Sequence, residues 1–129
     1  MLRLTPATPS PERYQRLDAF STADASTPEI TYRLGDLRVA FTDWRGRRVE
    51  LSFRRTVAFR WQDESPVLPD ARYDAAQEVI GSRWVEDLTL HGAVLPGAAA
   101  RHFLVCFNAS GAALEVVAER IEVTGCAPG

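Results

Sequence analysis

The sequence predicts a mainly β protein: an antiparallel β-sandwich or partly open barrel with one or two short helices. Three observations predict it. Between Ile30 and Trp61 apolar residues recur at alternate positions, the period of a half-buried strand. From Arg101 to Val123 two β-prone apolar runs flank the short turn Asn108-Ala109-Ser110-Gly111, the pattern of a hairpin. Glycine and proline interrupt the chain between these runs, leaving room only for short helices. At 129 residues one domain is expected. It divides into an N-terminal arm over 1–28, a β-rich core over 29–124 and a tail over 125–129, with six to eight strands in all.

In chain order, residues 1–10 hold Pro6, Pro9 and Ser10 and read as a loose arm. Ser10-Pro11-Glu12 suits a helix start, because serine caps free N–H groups and proline fits the first helical position. Tyr14, Leu17 and Phe20 follow roughly three apart, one stripe of a short helix. Residues 21–28 form a polar loop. Ile30, Tyr32 and Leu34 alternate with Thr31 and Arg33, Gly35-Asp36 breaks the run, and Leu37, Val39 and Phe41 resume it. Asp43 to Arg47 reads as a turn in which Gly46 takes a positive φ. Val49, Leu51, Phe53, Val57, Phe59 and Trp61 then share one face, interrupted by Arg55, while Glu50, Ser52, Arg54, Thr56 and Arg60 share the other. One apolar and one polar face mean an antiparallel sheet. Arg54-Arg55 marks a bulge or bend.

Residues 62–70, with Pro66 and Pro69, must be a loop, and Tyr73 to Ile80 fits either a strand or a helical turn. Ser82 caps a short helix Arg83–Leu90, with Trp84, Val85 and Leu88 facing inward. Gly92, Pro96 and Gly97 make another loop. In the hairpin's first strand, Phe103, Val105 and Phe107 share one face and His102, Leu104 and Cys106 the other. Both faces are mostly apolar, so this strand is central. The second strand holds Leu114, Val116 and Ala118, then Ile121 and Val123 after a slip at Glu119-Arg120, where a bulge would keep the apolar set inside. The 49–61 run is the hairpin's expected packing or pairing partner.

Composition excludes more than it assigns. Net charge is -2, and all 15 basic residues are arginine. Residues 1–62 hold 11 Arg against 7 acidic residues, and 63–129 hold 4 against 10. Interleaved in one sheet, these halves neutralise each other. The first twenty residues lack the apolar core of a signal peptide, and no apolar run approaches 18 residues, so the expected place is the cytoplasm. Cys106 and Cys126 are then reduced thiols.

Candidate chemistry is sparse. His91 and His102 lack the further ligands a metal site needs. Cys106 with His102 has the residue types of a nucleophile and base, but four residues apart on one strand their Cα atoms lie roughly 13 Å apart. Cys106 reads better as a small core hydrophobe. Asp63, Glu64, Asp70 and Asp74 have nothing that gathers them into an acid–base pair. No GxGxxG or GxxxxGK[ST] occurs. Arg45, Arg47, Arg48, Arg54, Arg55 and Arg60 lie near Trp44 and Trp61, the composition of a single-strand nucleic-acid surface. Intervening acidic residues fit a solvated face of cross-strand ion pairs better. Trp61 and Trp84 read as core. Trp44 sits in a turn beside arginines, the composition of an interaction hot spot. Trp44, Arg45, Arg47 and Arg48 are therefore the expected partner-contact residues.

Four segments carry a resemblance: Phe59-Arg60-Trp61, Ser82 to Val85, Arg101 to Asn108 and Leu114 to Ala118. Together they resemble a group of small uncharacterised bacterial proteins, some of whose relatives look like immunity proteins that neutralise toxins. The resemblance covers about residues 30–123 and implies a β-sandwich or partly open barrel with a small helix. It implies no chemistry. The expected function is non-catalytic, a protein-interaction or binding module acting as monomer or homodimer, with no cofactor, metal or membrane. The alternatives are a small-ligand or catalytic pocket between the sheet and the Trp84 helix, and weak nucleic-acid binding through the arginines.

Overall fold

A computed structural model describes residues 11–63, 74–95 and 97–128. Nine strands and one α-helix occur among them: β1 (Arg13–Arg16), β2 (Glu29–Arg33), β3 (Asp36–Thr42), β4 (Arg47–Arg54), β5 (Ala58–Asp63), β6 (Ala76–Ile80), α1 (Arg83–Leu90), β7 (Arg101–Phe107), β8 (Ala112–Ala118) and β9 (Arg120–Pro128). They form two antiparallel sheets, β1-β6-β7-β8-β5 and β2-β3-β4-β9. The fold is a β-sandwich with no closed barrel. Among the described residues no helix is long and apolar enough to cross a membrane.

The alternation fixes which faces meet. Leu37, Val39 and Phe41 on β3 and Val49, Leu51 and Phe53 on β4 turn inward from the four-stranded sheet. Phe103, Val105 and Phe107 on β7 and Leu114, Val116 and Ala118 on β8 meet them from the five-stranded sheet. Phe53 and Phe103 rings lie 5.7 Å apart, and Phe41 meets Phe107 edge-on at 5.3 Å. Trp61 packs against this core, as the sequence suggests.

The long apolar run 49–61 is two strands in different sheets. Arg55, at φ 52°, turns the chain from β4 into β5. Thr56 holds the corner by donating its hydroxyl to the Phe53 carbonyl at 2.9 Å and its N–H to Gly35 at 2.7 Å. The slip at Glu119-Arg120 is a second corner rather than a bulge: β8 ends in one sheet and β9 begins in the other. The corners adjoin, because the Glu119 N–H donates to the Arg54 carbonyl and Arg55 pairs with Glu119. The 49–61 run is therefore both kinds of partner to the hairpin. β5 pairs with β8, while β4 pairs with β9 and packs across the core.

Three further expectations change. Residues 13–16 are a strand, not a helix, because the open edge of β6 offers backbone partners that an isolated short helix lacks. Tyr73 itself, the arm 1–10 with Ser10, the loop residues 64–70 and Pro96 lie outside the described residues, but Ala76–Ile80 resolves as strand. The tail is strand β9, paired with β4 as far as Pro128, with the register shifting at Glu50/Leu51 to absorb one extra residue. Nine strands rather than six to eight follow from these additions.

Phe53 is wholly buried and Phe59 is 41% exposed. Phe53→Ala should cost about 3–5 kcal/mol in urea unfolding and Phe59→Ala well under about 2 kcal/mol; equal losses would contradict this assignment of faces.

Candidate functional site

A cleft lies on the outer face of the five-stranded sheet. Strand register builds it in rows. Ala58, Val117, His102, Val79 and Tyr14 lie in one row. Arg60, Glu115, Leu104, Gln77 and Arg16 lie in the next, and Gln62, Ala113 and Cys106 in the third. Helix α1 packs over β7 and closes one side. The cleft has a volume of about 370 Å³, with Trp84, Arg83 and Arg60 around Leu104 and the buried Cys106 and Ala113 at its base.

Glu115 is the centre of its polar network. Its side chain is only 14% exposed. Across the pair of strands, the Arg60 Nε donates to Glu115 Oε2 at 2.7 Å. Diagonally, His102 Nε2 lies 2.9 Å from Glu115 Oε1. Burial alone would push the carboxyl up, but the hydrogen bonds from His102 and Arg60 outweigh it and hold the group down at about 2. An ionised carboxylate only accepts, so Nε2 carries the proton. The other ring nitrogen, Nδ1, shares a hydrogen bond with the Ser82 hydroxyl at 2.8 Å.

Ser82 links this network to the helix. Its Oγ accepts the Val85 N–H at 3.1 Å, the N-cap bond that the sequence predicts. The Arg83 N–H donates to Glu12 Oε2 at 2.9 Å. Trp84, expected in the core, instead stands in the cleft: its ring meets His102 edge-on at 5.2 Å and carries the Arg60 guanidinium 4.3 Å from its centre. Cys106 is buried but belongs to this outer face rather than to the sandwich core. Burial pushes its thiol up to about 11, and a hydrogen bond with Gln77 offsets this only in part.

The residues expected at a partner surface divide in two. Trp44 is 57% exposed and the Arg45 guanidinium sits 4.7 Å from its ring centre. Arg47 is tied down: the buried Asp43 accepts its N–H at 2.9 Å and its Nε at 3.0 Å, and accepts the Arg45 N–H at 3.0 Å. Burial alone would raise the Asp43 carboxyl, but these bonds hold it below its usual value. Arg48 pairs with Glu50 and reaches Glu29. Most of the arginine cluster is likewise dispersed into ion pairs, with Arg54 on Asp36 and Glu122, and Arg55 on Glu119. At the opposite end of β3, the rings of Tyr32 and Phe59 lie 5.5 Å apart beside exposed Leu34 and Val57. Among the described residues no group of three His, Cys, Asp or Glu is set to hold a metal. Both cysteines are free thiols.

Comparison with protein families, with curated proteins and with solved structures finds no match.

Because the folded Glu115 value lies below the ordinary 4.5, its contribution to stability is complete above about pH 4.5 and is lost as pH falls toward 2. Glu115→Gln should therefore lower unfolding stability by about 2 kcal/mol at pH 7, with the gap from wild type narrowing at pH 3. A gap that is constant or wider at pH 3, measured by urea unfolding, would contradict the network.

Proposed function

We propose that this chain is a non-catalytic binding module, and that the cleft beneath α1 is its surface for a small ligand. One observation carries the reading: polar groups fixed by one another converge on a concave cleft of ligand size beside Leu104 and the Trp84 ring. The absence of catalysis is supported by how its reactive residue types are occupied. The Ser82 hydroxyl is hydrogen-bonded to His102 while capping the helix. Both Glu115 oxygens already accept hydrogen bonds, so it is a poor base. The Cys106 thiol stays protonated at neutral pH.

A second reading, contact with another protein, is supported by the exposed Tyr32, Leu34, Val57 and Phe59 patch and by the exposed Trp44–Arg45 pair. This reading keeps the immunity-like resemblance as its precedent. The cleft is favoured because its polar groups are already locked, whereas the patch has only area.

The first test uses a neutral aromatic probe. Titrating labelled protein with 2-naphthol should move the resonances of Trp84, Leu104, Cys106 and Ala113 together, with saturation. Shifts that scatter over the surface, or that gather at Tyr32 and Phe59, would contradict the cleft.

A further inference from the structure

The cleft's unused hydrogen-bonding capacity points to the charge of its ligand. We infer that the cleft takes a flat apolar molecule bearing one carboxylate; this rests on the cleft being the binding surface. The juxtaposition is of two guanidinium groups and an indole N–H with the apolar surface of Leu104 and the Trp84 ring.

Arg60 is the strongest element. Its Nε is held by Glu115 and its plane rests on Trp84. Both restraints act before any ligand arrives. Its terminal nitrogens have no acceptor among the described residues, so a rigid donor fork remains available. Forks of this kind match a carboxylate with two parallel hydrogen bonds. Arg83, the first residue of α1, lines the same cleft, and none of the described carboxylates pairs with its guanidinium. Its backbone N–H is the part already engaged, by Glu12. The Trp84 indole N–H likewise has no acceptor among the described residues.

The acidic side chains nearby leave these donors open. Glu115 takes its bonds from Arg60 Nε and His102 Nε2, not from the terminal nitrogens of Arg60. One Glu12 oxygen holds the helix start. Asp87 is exposed at the rim, where water and salt screen it. The apolar surface sets the shape of the rest of the ligand. Ala113 and Cys106 sit directly opposite each other on β8 and β7, with Leu104 in the next row. Ala113 and Cys106 are already buried, so the apolar surface left open in the cleft is the half-buried Leu104 and the Trp84 ring, and a flat ring matches the indole better than a branched chain does.

The test compares one ring with three charges: 2-naphthoate, 2-naphthamide and 2-naphthylmethylammonium, titrated into the full chain at pH 7 and followed at the Trp84 indole resonance. Naphthoate should bind about tenfold more tightly than the amide, and the ammonium more weakly than either. Arg83→Ala, an exposed first-turn substitution, should shrink that tenfold preference by weakening naphthoate more than the amide; an undiminished preference would overturn the role of Arg83. Arg45→Ala, at the far turn, should change neither. Amide or ammonium binding in the cleft as tightly as naphthoate would overturn the carboxylate assignment while leaving the cleft as the binding surface. Failure of all three probes to reach the cleft would overturn both.

Discussion

A carboxylate set into the middle of a sheet has to be answered from within the protein, and Glu115 imposes that requirement here. The inner face of β8 is sandwich core, with Leu114 and Val116 wholly buried. Water therefore reaches Glu115 only from the outer side, and α1 restricts it there. Arg60 answers from β5 and His102 from β7. Each then needs support of its own. The Arg60 guanidinium gains the face of Trp84, and the His102 ring gains the Ser82 hydroxyl. Both supporting residues belong to the start of α1. The helix is thus tied to the sheet by polar bonds, and none of its residues is fully buried. A cleft remains because the helix is held at its N-terminal end rather than packed flat by an apolar face.

The sandwich itself depends on two adjoining corners. At Arg55 and at Glu119 the chain leaves one sheet for the other, and the two turns bond to each other. This lets β4 and β9 pair in one sheet while β5 and β8 pair in the other. The same corners place β5, and hence Arg60, opposite Glu115. Cleft and core thus share a structural cause.

Most of the fold was legible because period-two patterning reports which side chains point together. It gave the inner faces of β3, β4 and β7, while turn and capping residue types gave the Asn108–Gly111 turn and the Ser82 cap. Patterning does not say to which sheet a strand belongs, so Arg54-Arg55 and Glu119-Arg120 read as bulges when they are corners. Nor does it see an edge in search of a partner, which is why 13–16 and 125–128 read as helix and tail. The cleft was hidden for a related reason. Along one strand His102 and Cys106 look like the pair to test, and their separation disposes of it. The partners that matter lie on neighbouring strands, Glu115 on β8 and Arg60 on β5. One signal was available: Glu115 sits within Leu114-Glu115-Val116-Val117, a stretch apolar on both faces, where a charge needs a reason.

The most direct measurement is the titration of the Glu115 side-chain carboxyl, followed by carbon NMR in the intact protein. Its midpoint should lie at about 2 and move up toward the ordinary glutamate value of 4.5 when Arg60 is replaced by alanine. A wild-type midpoint at or above that ordinary value would mean that burial outweighs the partners, and Glu115 would not be the anchor of the cleft.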